Sequence, residues 1–166
     1  QNVDDICFSE AGLLKDEFLS LYPALFEKAD NHIAIVRALG KKWKGLTRKE
    51  IVAQTRLAEG GTVSKILREL IYSGFISAYY PFGKRRKEML YRLTDEYSLF
   101  YLHFIEKKRI QEQGMWKRIS QTAVFKSWSG YAFESLCLKH VTQIKKGLQI
   151  GGIYSETASF TYTGND

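Results

Sequence analysis

Cysteine and proline are both scarce in this sequence. Only two cysteines, Cys7 and Cys137, occur in 166 residues, and their separation gives no metal-ligand spacing. Sparse cysteine without a recognisable signal peptide favours a reducing, cytoplasmic compartment. With only two prolines and 45% hydrophobic residues, the composition is typical of a globular chain that can bury a core.

Long apolar runs and catalytic motifs are also missing. No stretch approaches the roughly 20 apolar residues that cross a bilayer, so we expect a soluble protein without a membrane partner. No Gly-x-x-x-x-Gly-Lys-Ser/Thr loop occurs, and no nucleophile is paired with a base. His32, His103 and His140 are isolated and far from carboxylates at ligand spacing, which favours packed or surface histidines. We therefore predict no catalytic residue, metal site or cofactor in this chain, and no enzymatic activity of its own.

Positive charge is present but unevenly distributed. Residues 41–92 contain 13 basic and 4 acidic residues, a net charge of +9, whereas residues 1–40 carry −4 and residues 93–166 carry +2. Such a local excess favours a polyanionic partner, because neutralising phosphates releases counterions. A solvated basic face without a partner is the alternative.

The basic segment has the pattern of a helix-turn-helix followed by a hairpin. A capping box at Thr47 and Glu50 begins a helix that ends near Thr55. After a turn containing two glycines, a second helix is predicted from Thr62 to Tyr72, with its apolar residues at the spacing of a helix packed on one face. That stripe consists of Val63, Ile66, Leu67, Leu70 and Ile71.

Two strands should follow this helix, and Gly74 is predicted to end the helix. They are predicted over Phe75–Phe82 and Met89–Leu93, with a polar tip between them. A helix capped by Asp30 or Asn31 and ending near Gly40 would complete a winged helix.

The segments on either side are predicted to be largely helical. Residues 1–28 should form one or two short helices, broken near Tyr22-Pro23. Beyond the hairpin, a helix capped by Thr94-Asp95 is predicted to run to about Gln113, with a break at Gly114. A second helix is predicted from about Ser127 to Lys146, followed by a strand over Ile153–Tyr162. The apolar side of that second helix consists of Phe133, Leu136, Cys137, His140, Val141 and Ile144. Trp43, Trp116 and Trp128 are expected to anchor the core or an interface. The predicted fold class is α+β, mostly helical, with a winged helix-turn-helix flanked by helices.

A winged helix of this composition predicts contact with duplex DNA. The second helix of a helix-turn-helix enters the major groove, while the wing reaches an adjacent groove or its backbone. The candidate DNA-binding residues are Thr62, Ser64, Lys65 and Arg68 on the helix and Lys84, Arg85, Arg86 and Lys87 at the hairpin tip. Glu69, beside Arg68, argues weakly against DNA. The alternative is a protein–protein or interdomain docking module, because a wing tip is polar wherever it is exposed.

Several stretches carry a family resemblance. They are Phe8–Leu14 (FSEAGLL), Ile35–Leu39 (IVRAL), Gly45–Ile51 (GLTRKEI), Ser73–Ser77 (SGFIS), Tyr91–Tyr101 (YRLTDEYSLFY) and Trp128–Glu134 (WSGYAFE). Together they resemble the C-terminal part of the archaeal-type P-loop ATPases, a family also widespread in bacteria. In that family a winged helix is followed by a nuclease-like domain.

The resemblance implies that the chain is a fragment of a larger ATP-binding protein whose ATPase module is absent here. ATP and Mg would be cofactors of the full-length parent, and its ATPase domain would be an intramolecular partner. The abundant aromatic residues after Thr94 separately favour docking to that domain or to a second copy of the chain. The implied division is a helical linker over 1–28, the winged helix over 29–94, and a helical region with the truncated α/β start of a nuclease-like domain over 95–166. Glu134 matches that domain's opening acidic residue, or is only a solvated helix residue.

Overall fold

The computed structural model describes residues 2–80, 89–106 and 114–154, which are mostly helical and include a small antiparallel sheet. The helices are α1 (Glu17–Leu25), α2 (Ala29–Gly40), α3 (Arg48–Thr55), α4 (Gly61–Tyr72), α5 (Glu96–Phe100), α6 (Met115–Ser120), α7 (Ala123–Lys139) and α8 (Val141–Gly147). Two π-helical turns occur at Asp4–Phe8 and Tyr101–Ile105, and the strands are β1 (Leu46–Thr47), β2 (Ile76–Tyr79) and β3 (Leu90–Leu93). The predicted mostly helical α+β class is confirmed.

The sheet has the order β1-β3-β2, with every neighbouring pair antiparallel. Leu46 pairs with Tyr91, and Ile76 pairs with Leu93. β2 and β3 lie inside the two predicted strands but are shorter than predicted. β1 was not predicted, because a strand of two residues has no alternation from which to recognise it.

Local sequence signals determine where α3 and α4 begin and end. The predicted capping box is present: the Thr47 hydroxyl accepts from the Glu50 amide, and the Glu50 carboxylate accepts from the Thr47 amide. α3 ends at Thr55, as predicted, and α4 ends at Tyr72. Gly74 follows α4 with φ of +77°, a left-handed conformation that suits glycine.

Two predictions about the N-terminal helices are wrong. α1 continues through Tyr22 and Pro23 to Leu25, because Pro23 lies in the last turn and the helix is held by the burial of its inner side chains. α2 begins at Ala29, and neither Asp30 nor Asn31 caps it; no side-chain hydrogen bond caps its first turn.

The core joins the N-terminal segment to the helices that follow the sheet. Phe18 and Tyr22 of α1 are both fully buried. The Phe18 ring stacks on Tyr101 at 4.4 Å between centroids, and the Tyr22 hydroxyl bonds the Ser98 hydroxyl at 2.8 Å. α1 is therefore packed into the same core as the sheet and α5.

The C-terminal helices differ from the sequence prediction. Asp95 caps α5 by accepting from the Ser98 amide, as predicted, and the helix passes into a π-helical turn. α6 was not predicted, and α7 begins at Ala123 because the Thr122 hydroxyl caps it. The single helix predicted to Lys146 is broken at His140 into α7 and α8.

The predicted apolar side of that helix is largely exposed. Phe133 is 67% exposed, Leu136 and Ile144 are also exposed, and the side chain that α7 buries is Ser135. Ile153 and Tyr154 are not in a strand, and the rest of the predicted strand lies outside the described residues, as do residues 107–113. In the described ranges no helix combines the length and apolar character needed to cross a membrane.

Candidate nucleic-acid interface

α4 has one buried face and one exposed face. Val63, Ile66, Leu67 and Leu70 are buried, which confirms the predicted apolar stripe. The four candidate residues Thr62, Ser64, Lys65 and Arg68 are all exposed. Because positions 65, 68 and 72 recur at helical spacing, Tyr72 shares the outward face with the two cations. Tyr72 is 87% exposed.

The N-terminus of α4 is open to solvent. A Cβ added at Gly60 or Gly61 would meet no atom within 4 Å, and no side chain caps the first turn. Arg48 holds the preceding turn in place, donating to the Gly60 carbonyl at 3.0 Å and to the Glu59 carboxylate at 3.1 Å. The amides of the first turn are thus free to meet a phosphate.

Glu69 faces the body of the protein. Its carboxylate lies 2.9 Å from His32 Nε2, and the same side chain is 3.7 Å from Lys65 Nζ. His32 is buried, stacks on Phe26 and contacts the Lys28 carbonyl through Nδ1. His32 is thus a packed histidine, as the sequence favoured, and helix packing gives it a carboxylate partner 37 positions away in the chain.

The exposed cations of α4 differ in their surroundings. Lys65 has only the long contact with Glu69, and its side chain is 70% exposed. Arg68 forms no ion pair with any described residue. The two carboxylate oxygens of Glu69 contact His32 and Lys65, so this acidic residue does not pair with Arg68.

The hairpin is described only at its base. The Tyr79 hydroxyl of β2 donates to the Lys44 carbonyl at 2.5 Å, which ties the strand to the loop before β1. The predicted tip residues Lys84, Arg85, Arg86 and Lys87 lie outside the described residues. Of the candidate DNA-binding residues, the structure therefore describes only those on α4.

Apart from His140, the remaining residues singled out by sequence pack against or pair with other described residues. Glu134 accepts from Arg92 of β3 at 3.4 Å, and none of the described His, Cys, Asp and Glu residues form a group of three or more that could hold a metal. Trp43, Trp116 and Trp128 are partly buried against the core. His103 packs on Trp43 at 4.7 Å between centroids, and His140 is exposed at the end of α7.

Tyr72 is absent from the residues chosen by sequence as DNA contacts, although its position on the polar side of α4 could have been read from the helical period.

Comparison of the chain with models of known families, with curated proteins and with solved structures finds no match.

Proposed function

We propose that this chain contains a winged helix that binds duplex nucleic acid through α4 and the hairpin. The element order α2, β1, α3, α4, β2, β3 and the sheet order β1-β3-β2 support the winged-helix assignment. In that architecture α4 is the recognition helix and β2–β3 form the wing.

The observation that carries the proposal is the exposed face of α4. It presents Lys65, Arg68 and Tyr72 to solvent along a helix whose N-terminus has no side-chain cap, in the segment of the chain that carries the +9 charge. Cations can neutralise phosphates, Arg68 can also donate to base edges, and the tyrosine offers a ring and a hydroxyl. As implied by the resemblance, this module would serve a larger ATP-binding protein.

The test is the salt dependence of binding to a mixed-sequence DNA duplex, followed by fluorescence anisotropy. Each phosphate contact contributes about 0.9 to the slope of log affinity against log salt, so the Lys65→Ala/Arg68→Ala double variant should weaken binding and lower the slope by up to about 2. The Lys84→Ala/Arg85→Ala/Arg86→Ala/Lys87→Ala variant should lower it by up to about 4 if every tip residue contacts a phosphate.

A matched control removes two positive charges elsewhere. Lys126→Ala/Lys146→Ala changes exposed lysines of α7 and α8 and should leave the slope close to that of the wild type. Equal slopes for the α4 variant and this control would contradict the proposal for α4. An unchanged slope in the tip variant would show that the hairpin tip does not contact the DNA.

A second candidate function, docking to another protein domain or to a second copy, is favoured by a different observation. α7 and α8 leave several large apolar side chains exposed, and exposed apolar surface can mark a site of protein–protein contact. The exposed residues are Val124, Tyr131, Phe133, Leu136, Ile144 and Leu148.

Light scattering over a range of concentrations tests the homotypic form of docking. Phe133→Ser/Leu136→Ser should lower the apparent mass if α7 mediates self-association. Leu13→Ser/Leu19→Ser, which changes exposed leucines near the other end of the chain, is the control. A monomeric wild type at every concentration would exclude self-association, and a pull-down with the ATPase domain of the parent would then test interdomain docking.

A further inference from the structure

A cavity of about 390 Å³ lies between the β2–β3 hairpin base and α7. Tyr79 and Leu138 contribute apolar walls, and Ser77, Arg92 and Lys139 contribute polar groups. Ser77 and Arg92 are cross-strand partners, so their side chains share one face of the sheet. The size and the mainly apolar lining with a few polar groups are those of a small-molecule site.

Arg92 brings a permanent positive charge to this cavity. The residue is only 7% exposed, and its guanidinium is a planar cation with five N–H donors. It donates to the Ser135 hydroxyl at 2.5 Å and to Glu134 at 3.4 Å. These two contacts use two of its five N–H donors.

Glu134 is a weak partner for this buried charge. Its contact with Arg92 is a single long one, whereas a well-formed guanidinium–carboxylate pair is shorter and uses two hydrogen bonds. The Glu134 side chain is 51% exposed, so it can return to water at little cost. Lys139, by contrast, is already paired with Glu96 at 2.7 Å. The cavity therefore offers one poorly neutralised cation beside apolar walls.

We propose that this cavity binds a small monocarboxylate with an apolar body, whose carboxylate replaces Glu134 on Arg92. The apolar part lies against Leu138 and Tyr79, and the Ser77 hydroxyl lies on the same face as the guanidinium. The site is separate from the exposed face of α4, and its occupation does not depend on whether the chain binds DNA.

Phenylacetate and octanoate are suitable probes, with phenylacetamide and octanamide as uncharged counterparts. Binding is measured by calorimetry and by chemical-shift changes of Ser77 and Leu138. Both carboxylates should saturate the site, and the amides should bind at least tenfold more weakly because they lack the charge that pairs with Arg92.

Two substitutions should change the affinity in opposite directions. Arg92→Gln should weaken carboxylate binding by at least tenfold, because the cation is lost. Glu134→Gln should strengthen it by about threefold to fivefold, because the competing carboxylate is lost while the glutamine keeps its size. Glu27→Gln, an exposed site outside the cavity, should change nothing.

Ser77→Phe provides a test that keeps Arg92 in place. The larger side chain should fill the cavity and prevent binding of both probes, and the melting temperature of each variant shows whether it is folded. Failure of wild type to saturate with either carboxylate would overturn the proposal. Equal binding of acid and amide, or weaker binding by folded Glu134→Gln, would also overturn it.

Discussion

Glu50 ties the start of α3 to the loop before it. Its carboxylate accepts from Lys42 Nζ at 2.9 Å and from the Thr47 amide at 2.8 Å. The Lys42 side chain, followed by the Thr47 amide, lowers the pKa of Glu50 from 4.5 to about 2. Because the folded state holds the proton more weakly than the unfolded chain, this group stabilises the fold above pH 4.5, and the contribution is lost as the pH falls towards 2.

Glu50→Gln should therefore destabilise the protein in a pH-dependent way. At neutral pH we expect a loss of about 0.5–1 kcal/mol, the effect of a surface carboxylate at a helix N-terminus. Near pH 2 most of this difference should be gone, because the pH has then fallen to the folded-state pKa of Glu50, about 2, and only a small part of the stabilisation is left. Urea unfolding at both pH values measures this. Glu27→Gln is the control, and a loss of the same size at both pH values would contradict the assignment.

Residue-scale features were predictable only where both partners are close in sequence. Thr47 and Glu50 are three positions apart, so the capping box could be read directly. His32 meets Glu69, and Arg92 meets Glu134, only because separate elements pack together. Nothing in the local sequence pattern specifies such pairs, so these contacts could not be predicted.

Among the helices, α1 is fixed to α5 by a buried hydrogen bond between two hydroxyls. Tyr22 and Ser98 are both fully buried, and burial raises the pKa of Tyr22 well above its usual value of 10. The tyrosine is therefore neutral across the physiological range. Its hydroxyl and that of Ser98 satisfy one another inside an apolar core.

Tyr22→Phe should leave the Ser98 hydroxyl buried without this partner and cost about 1–3 kcal/mol of unfolding free energy. Ser98→Ala should have a comparable effect for the same reason. The double variant should cost less than the sum of the two, because neither orphaned hydroxyl remains. Denaturant unfolding of the four proteins measures the coupling, and strict additivity would contradict it.

Whole elements were predictable where one face is strongly apolar or a capping residue is present. α4 is the clearest case, because Val63, Ile66, Leu67 and Leu70 are all buried as the period predicts. α7 is the opposite case: Phe133 and Leu136 are exposed although they are apolar. The period identifies a helix, but tertiary packing determines which face is covered.

At the scale of the molecule, one core connects segments that the sequence divides into a linker, a winged helix and a later region. Those boundaries remain predictions. Buried residues from all three segments nevertheless form one cluster, with Phe18 of α1, Leu67 of α4 and Phe104 after α5 among its members. The N-terminal segment therefore contributes to the stability of the central sheet.

Phe18→Ala tests this connection. Phe18 is fully buried and stacks on Tyr101, so its truncation should cost about 3–5 kcal/mol. The destabilisation should extend to β2 and β3, so hydrogen-exchange protection should fall in these strands as well as in α1. Phe133→Ala makes the same chemical change at an exposed position of α7 and should alter stability by no more than about 0.5 kcal/mol. If the first 28 residues were an independent linker, Phe18→Ala would leave the protection of the sheet unchanged.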